Sequence, residues 1–304
     1  MSDVAQAKAG TQVEAVILYG VGGLYTVFCP GEGAEYVLRA RGVFRREKRT
    51  PLVGDRVLCT PGEGEAHGWI DDILPRSSEC LRPPVANVER MALVVAPAPP
   101  PDLLLVDRLL VWARRAGIEP LLCANKADLH EGLGGELCAQ YRACGVDALV
   151  VSAATGLGVD ALRGRLAGRV SCFAGQSAVG KSSLLNALYG LELPTGGLSR
   201  RIERGRHTTR HARLLRCGDA LVVDTPGFSL LELWNALPPG ELCHYYPEFD
   251  AYAPDCRFQP CLHDREPGCA VSEAAGRGAL SAERLERYRV LLNEVREQWR
   301  GRYG

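Results

Sequence analysis

Apolar positions follow two different periods along this chain. Between Thr11 and about Ser77, short runs of β-branched, aromatic and aliphatic residues at 14–19, 24–28 and 36–40 are punctuated by glycines, which predicts a small β-barrel. Five strands of this size fit an OB-fold, and an SH3-like barrel gives nearly the same pattern. A polar, proline-bearing stretch from 75 to 84 then reads as an interdomain connection, and the rhythm changes. Apolar runs at 91–96, 120–124, 148–152 and 170–174 alternate with helical patterns at 102–116 and 159–166, which predicts a mostly parallel sheet with helices on both faces. Beyond Trp234 come Pro-, Cys- and aromatic-rich loops. A final segment, 281–299, places Leu285, Tyr288, Leu292, Val295 and Trp299 at 3-4-3-4 spacing, as an amphipathic helix does. That stripe is either a docking surface or a face packed on the chain's own core. The expected organisation is multidomain α/β: a tail over 1–10, a barrel over 11–80, an α/β domain over 81–234 and a helical C-terminal domain over 235–304.

Composition narrows the classes open to such a chain. At 304 residues and 46% hydrophobic content it can bury a sizeable core. The N-terminus lacks the apolar stretch of a secretory signal, and the run 103–113 is broken by Asp107 and Arg108, so a soluble, cytoplasmic protein with no membrane span is expected. A monomer is expected as well, although no residue pattern fixes the oligomeric state. Twelve cysteines in such a chain are read as reduced thiols and not as a disulfide framework. Lys plus Arg balances Asp plus Glu at 36 each, so any contact with RNA must be a local patch. One candidate lies at 39–49, where six basic residues and one acid surround Phe44; it is either cations and a stacking ring for a nucleic acid or a solvated hairpin tip.

The chemistry concentrates in three strand-end segments. Gly175, Gln176, Ser177, Ala178, Val179, Gly180, Lys181 and Ser182 match G-x-x-x-x-G-K-[ST], directly after an apolar run and before a helix-like segment starting at Ser183. Glycines there let backbone N–H groups curl around phosphate oxygens, Lys181 neutralises the β- and γ-phosphates, and the Ser182 hydroxyl suits Mg²⁺. Asp224, Thr225, Pro226 and Gly227 follow the apolar run 220–223, so Asp224 can hold the hydration shell of Mg²⁺ and Gly227 can meet the γ-phosphate. Asn125, Lys126 and Asp128 form N-K-x-D at another strand end, where the Asp128 carboxylate can accept two hydrogen bonds from guanine that adenine cannot supply. Ser152 and Ala153, at the end of the next strand, are placed to offer a backbone N–H to guanine O6. Only four basic residues are lysines, and two of them, Lys126 and Lys181, fall in these motifs. The pocket is therefore expected to take GTP or GDP with Mg²⁺. If N-K-x-D were an accidental turn, the chain would be a P-loop ATPase or kinase; if hydrolysis were incidental, it would be a nucleotide-gated binding module.

Asn125 precedes Gly175 by fifty residues, whereas ordinary small GTPases place the P-loop first, so the order is circularly permuted. Phe228 stands where Ras-like enzymes have the glutamine that orients water, and unassisted hydrolysis should be slow. His207 is the candidate catalytic group that replaces it, alongside Lys181, unless that imidazole merely caps or packs its loop. Further on, Cys256, Cys261, His263 and Cys269 put three thiols and one imidazole within fourteen residues. This set suits one tetrahedral structural Zn²⁺; unligated cysteines are the other reading.

Taken together, the permuted motifs, the segment from Gly205 to Thr209, the barrel in front and the Cys/His cluster behind resemble the ribosome small-subunit-dependent GTPase A family over nearly the whole chain. The resemblance implies an OB-like barrel, a permuted GTPase domain and a zinc-binding C-terminal domain. It also implies GTP hydrolysis stimulated by the small ribosomal subunit late in its assembly, with contacts to rRNA. The family's switch segment has three threonines after its histidine; here Thr208 and Thr209 are followed by Arg210, so either can be the ligand of Mg²⁺ and the γ-phosphate.

Overall fold

The structure, a computed structural model, describes residues 11–62, 67–81, 84–130, 132–193, 212–224 and 237–303. Strands β1 (Val13–Val21), β2 (Leu24–Cys29) and β3 (Ala34–Ala40), helix α1 (Gly42–Arg46), and strands β4 (Arg56–Thr60) and β5 (Gly68–Ile73) make a closed barrel in the order β1-β2-β3-β5-β4. This OB-like order decides between the two barrels that the pattern allowed. Alternation does the sorting: Ala15, Ile17, Val27, Cys29, Leu38, Val57, Cys59 and Ile70 point inward and pack on one another. A parallel pairing of β3 with β5, Arg39 opposite Trp69, closes the sheet, and Gly68 is required there because a Cβ would stand 2.2 Å from the Thr60 carbonyl oxygen.

Phe44 corrects an expectation. Its ring is 3% exposed and belongs to the barrel core, so it cannot stack on a nucleic acid, while the cations around it stay in water. An aromatic ring gains more from burial than a short surface helix gains from presenting it.

The stretch read as a connection is also more ordered than a linker. Strands β6 (Glu79–Leu81) and β7 (Pro84–Ala86) form an antiparallel ribbon that bridges to the barrel through Val53 and Val85. Arg76 clamps the fully buried Asp55 with two hydrogen bonds of 2.7 and 2.8 Å. Such bidentate pairing is what makes a buried carboxylate tolerable.

The α/β part follows: β8 (Arg90–Val95), α2 (Leu103–Arg115), β9 (Glu119–Ala124), α3 (Leu133–Arg142), β10 (Asp147–Val150), α4 (Val159–Leu166), β11 (Val170–Ala174), α5 (Lys181–Tyr189), β12 (Arg213–Cys217) and β13 (Ala220–Asp224). Among the described residues these strands form a six-stranded sheet in the order β10-β9-β8-β11-β13-β12. Strand β10 runs parallel to β9 and β13 parallel to β11, with β12 and β13 a hairpin at the edge. Every residue of β8 is buried, as a strand covered on both faces requires. By contacts the chain groups into two compact units, Met1–Arg90 with Leu166–Cys172 and Leu198–Phe228, and Met91–Arg165 with Phe173–Gly197 and Ser229–Gly304.

The C-terminal region comprises three short 3₁₀ segments between Pro239 and Asp255, then α6 (Ala270–Gly276) and α7 (Ala282–Tyr303). Leu285, Tyr288, Leu292 and Val295 are all buried against Leu242, Tyr246, Phe249, Val271 and Val111 of α2, so the stripe packs on the chain's own core. Tyr288 meets Tyr246 and Phe249 edge-on at 4.9 and 5.1 Å. A buried ionic network reinforces the contact: Asp107 of α2 accepts from Arg284 Nη1, from Arg287 Nε at 2.5 Å and from the Tyr141 hydroxyl at 3.0 Å, while Arg284 Nε also donates to Glu248. All twelve cysteines are free thiols. Among the described residues, no helix is long and apolar enough to cross a membrane.

Candidate functional site: a nucleotide pocket and a metal centre

Strand β11 delivers the P-loop against the end of β8. Gly175 has φ +130, and a Cβ there would stand 2.2 Å from the Val94 carbonyl oxygen, so only glycine allows the loop to leave the sheet. Gly180, in the left-handed region at φ +98, is the N-cap of α5, and no side chain caps that helix. Its first-turn N–H groups are thus left for an anion. Lys181 Nζ donates to the carbonyls of Gly175 (2.9 Å) and Gln176 (2.6 Å), which leaves the third of its three donors for a phosphate oxygen. Burial pulls its pKa below the ordinary lysine value.

The N-K-x-D segment is stitched to this loop. Asn125, 2% exposed, donates through Nδ2 to the Val179 carbonyl (2.9 Å) and accepts at Oδ1 from the Ala153 amide (3.1 Å), so one side chain fixes all three segments. Its amide fills the space a Cβ at Gly180 would need, at 2.4 Å. Lys126, with φ +58, lies over the P-loop and donates to the carbonyls of Ala98 and Ala178, both at 2.7 Å. Asp128 is exposed, and one of its carboxylate oxygens is held by the buried Ser152 hydroxyl. The Ser152 amide donates to Leu157 and the Ala153 amide to Asn125, so neither N–H aimed at guanine O6 by the sequence reading is open in this conformation.

Sequence reading missed the loop between β8 and α2. Gln176 accepts from the Asp102 amide (2.9 Å) and donates to the Pro100 carbonyl (3.2 Å), so the P-loop grips this loop from one side while Lys126 grips it from the other. The acceptors are backbone carbonyls, which leave no residue-type signature; the proline run from 97 to 101 was the available signal. Ser182 and Ser183 open α5, half-buried. Asp224 is the last residue of β13, which pairs with β11 in the register Val170↔Leu221 and Ser171↔Val222. His207, Thr208, Thr209 and Gly227 lie outside the described residues.

The second centre is built from Cys256, Cys261, His263 and Cys269, all buried, with their ligand atoms within 4.8 Å of one another. His263 Nδ1 is 3.7 Å from Cys256 Sγ and 3.5 Å from Cys269 Sγ, and those two sulfurs are 4.0 Å apart. A tetrahedral zinc with its usual bond lengths would give edges of about 3.5–3.8 Å, so the four residues fit that ion, and the sulfur separation is far too long for a disulfide. Burial, only partly opposed by Glu266, pulls the His263 pKa down and favours the neutral, ligating imidazole. The thiols of Cys261 and Cys269 accept from the amides of His263 and Ser272, both at 3.4 Å, and Glu266 accepts from the amides of Leu262 and Asp264. Helix α7 braces the loop through Tyr288 to the Leu262 carbonyl at 2.7 Å.

A mostly parallel sheet carrying a P-loop, with an N-K-x-D segment placed before it in the chain and bonded to it in space, defines a circularly permuted GTPase. The comparisons agree: the RsgA GTPase family model matches residues 73–234 and the RsgA N-terminal domain model matches 14–70. The chain belongs to the RsgA GTPase family. It is 46% identical over 292 residues to the small ribosomal subunit biogenesis GTPase RsgA of Geobacillus thermodenitrificans, covering 94% of this chain and 98% of that protein. It is also 46% identical over 287 residues to the protein of the same name from Moorella thermoacetica, covering 93% and 97%. Among solved structures it resembles YjeQ from Thermotoga maritima (TM-score 0.81, 34% identity, 94% of this chain and 99% of that chain). It likewise resembles YloQ, a circularly permuted GTPase (TM-score 0.79, 32% identity, 97% and 99%).

Proposed function

We propose that this GTPase acts in the cytoplasm on the small ribosomal subunit during its assembly, that contact with the subunit stimulates hydrolysis, and that rRNA is part of the contact. The observation that carries the nucleotide half is the Asn125 clip, which joins a phosphate loop to a guanine reader in one pre-organised pocket. The subunit half is supported by the relatives, whose name assigns them to small-subunit biogenesis.

In this reading Asp128 selects guanine, while Lys181 and the α5 N-terminus take the β- and γ-phosphates. Ser182 and Asp224, with Thr208 or Thr209, are the residues that would hold Mg²⁺, which supplies charge neutralisation at the phosphates. Water attacks the γ-phosphorus, the bond to the bridging oxygen breaks, and GDP and phosphate leave. With Phe228 in the usual glutamine place, His207 is proposed to orient that water. The Cys/His centre would hold one structural zinc.

Steady-state GTP hydrolysis, measured with and without purified small subunits at two salt concentrations and with ATP as control, tests the reading. Stimulation confined to GTP and weakened by salt is expected. Unchanged turnover on adding subunits would refute it.

A further inference from the structure

Gln176 faces two ways at once. Its backbone carbonyl accepts from the Lys181 ammonium at 2.6 Å, while its side-chain amide reaches out of the P-loop, accepting from the Asp102 amide at 2.9 Å and donating to the Pro100 carbonyl at 3.2 Å. That site needs a donor and an acceptor on one planar group, which a carboxamide supplies without a charge. The Asp102 amide is one of the four N–H groups that the start of α2 cannot satisfy for itself, and the Asp102 carboxylate takes another, that of Leu105. The phosphate loop thus completes the cap of α2.

In its later turns α2 is bound into α7. Asp107 holds Arg284 and Arg287, Arg108 pairs with Glu294 at 2.6 Å, and Val111 lies in the core that α7 shares. Helix α7 in turn holds the Cys/His loop on either side of His263: the Tyr288 hydroxyl donates to the Leu262 carbonyl and Arg296 pairs with Asp264, both at 2.7 Å. Hydrogen bonds and ion pairs therefore run from the Lys181 ammonium, by way of two helices, to the neighbours of His263. Every element in the chain of contacts lies in one compact unit.

We propose that Gln176 is a positioning residue that links nucleotide occupancy to the C-terminal region: a phosphate on Lys181 steadies α2 and α7 through the carboxamide. A phosphate oxygen that takes the third donor of Lys181 draws on the ammonium that the Gln176 carbonyl holds, so the residue that helps to seat the phosphate is the one that grips α2. By linkage the effect is reciprocal. A partner that holds α7 still raises nucleotide affinity by the same factor by which nucleotide suppresses the opening of α7. Of the function proposed above, this needs only the seating of phosphates on Lys181.

Hydrogen–deuterium exchange read by mass spectrometry on the full chain, with and without saturating GDP, tests the link. In the wild type GDP should slow amide exchange in α5 and, by about 5-fold or more, in α7. Gln176→Ala at saturating GDP should keep the slowing in α5 and lose most of that in α7, whereas loss of a purely local brace leaves the nucleotide dependence of α7 intact. Where Gln176→Ala does not fold, Arg108→Gln, which cuts an α2–α7 pair away from the P-loop, should reduce the α7 effect by about 2-fold or more and spare α5. Equal slowing of α7 in wild type and Gln176→Ala overturns the proposal. So does wild-type slowing that stops at α5, which leaves the nucleotide pocket standing. No slowing in either helix sinks the seating of phosphates on Lys181, and the link with it.

Discussion

Gly180→Ala should damage nucleotide binding through a neighbour, and a double-mutant cycle can show it. The added Cβ would stand 2.4 Å from Asn125 Nδ2, about 1 Å inside the 3.4 Å at which ordinary contact begins. Backing away by that distance would break the bonds from Nδ2 to Val179 (2.9 Å) and from the Ala153 amide to Oδ1 (3.1 Å). Losing both, with buried partners left unpaired, costs about 2–4 kcal/mol. Holding alanine at φ +98 adds about 1–2 kcal/mol of backbone strain. The site must be restored before GTP can bind, so the variant should lose about 10²- to 10⁴-fold in affinity, measured by titration calorimetry. In an Asn125→Ala background the amide is gone, and Gly180→Ala should cost only the strain, about 5- to 30-fold. Equal losses in the two backgrounds would refute the claim that Gly180 is small in order to seat Asn125.

Four other perturbations probe separate parts of the molecule. Asp128→Asn should shift preference from GTP toward xanthosine triphosphate, because the amide presents a donor where the carboxylate accepts; competition binding reads the exchange. Phe44→Ala should destabilise the barrel by about 3–5 kcal/mol, as removal of a buried ring does, and thermal unfolding reads the loss. Asp107→Asn removes the carboxylate that the buried Arg284 and Arg287 share, so urea unfolding of the α2–α7 region should be easier by about 3–5 kcal/mol. Elemental analysis should find one zinc per chain. Its removal by a chelator should abolish the near-ultraviolet dichroism of the Tyr246, Phe249 and Tyr288 cluster, which shares its core with the ligand cysteines.

What the sequence made legible was local. The strand, loop and helix around Gly175 to Ser183 could be read because each piece has a short-range signature: an apolar run, positive-φ glycines and a helix start. The Cys/His cluster was legible for the same reason, three thiols and one imidazole within fourteen residues. Phe44 was misread because six surrounding cations dominate its window, and no local pattern says that one ring in a five-residue helix turns into a barrel. The ribbon within the connection, at 79–86, was not legible because its order comes from Asp55 and Val53, more than twenty residues earlier. Asp107 and Arg284 are 177 residues apart, and the sequence marked Asp107 only as a break in an apolar run.

Helix α2 ties these observations together. Its N-cap residue, Asp102, gives its amide to Gln176 of the P-loop, and its own carboxylate accepts the Leu105 amide that starts the helix. One turn and a half farther on, Asp107 anchors Arg284 and Arg287 of α7, and Arg108 pairs with Glu294 at 2.6 Å. Near the C-terminal end, Arg114 donates to the carbonyls of Tyr245 and Cys144. A short helix with its first turn bound to the phosphate loop and its remaining turns bound largely to the C-terminal region cannot tilt at one end without loading bonds at the other. The circular permutation leaves this arrangement possible, because α2 precedes the P-loop in the chain yet meets it through a glutamine side chain and two backbone groups, contacts set by position in the sheet and indifferent to chain order.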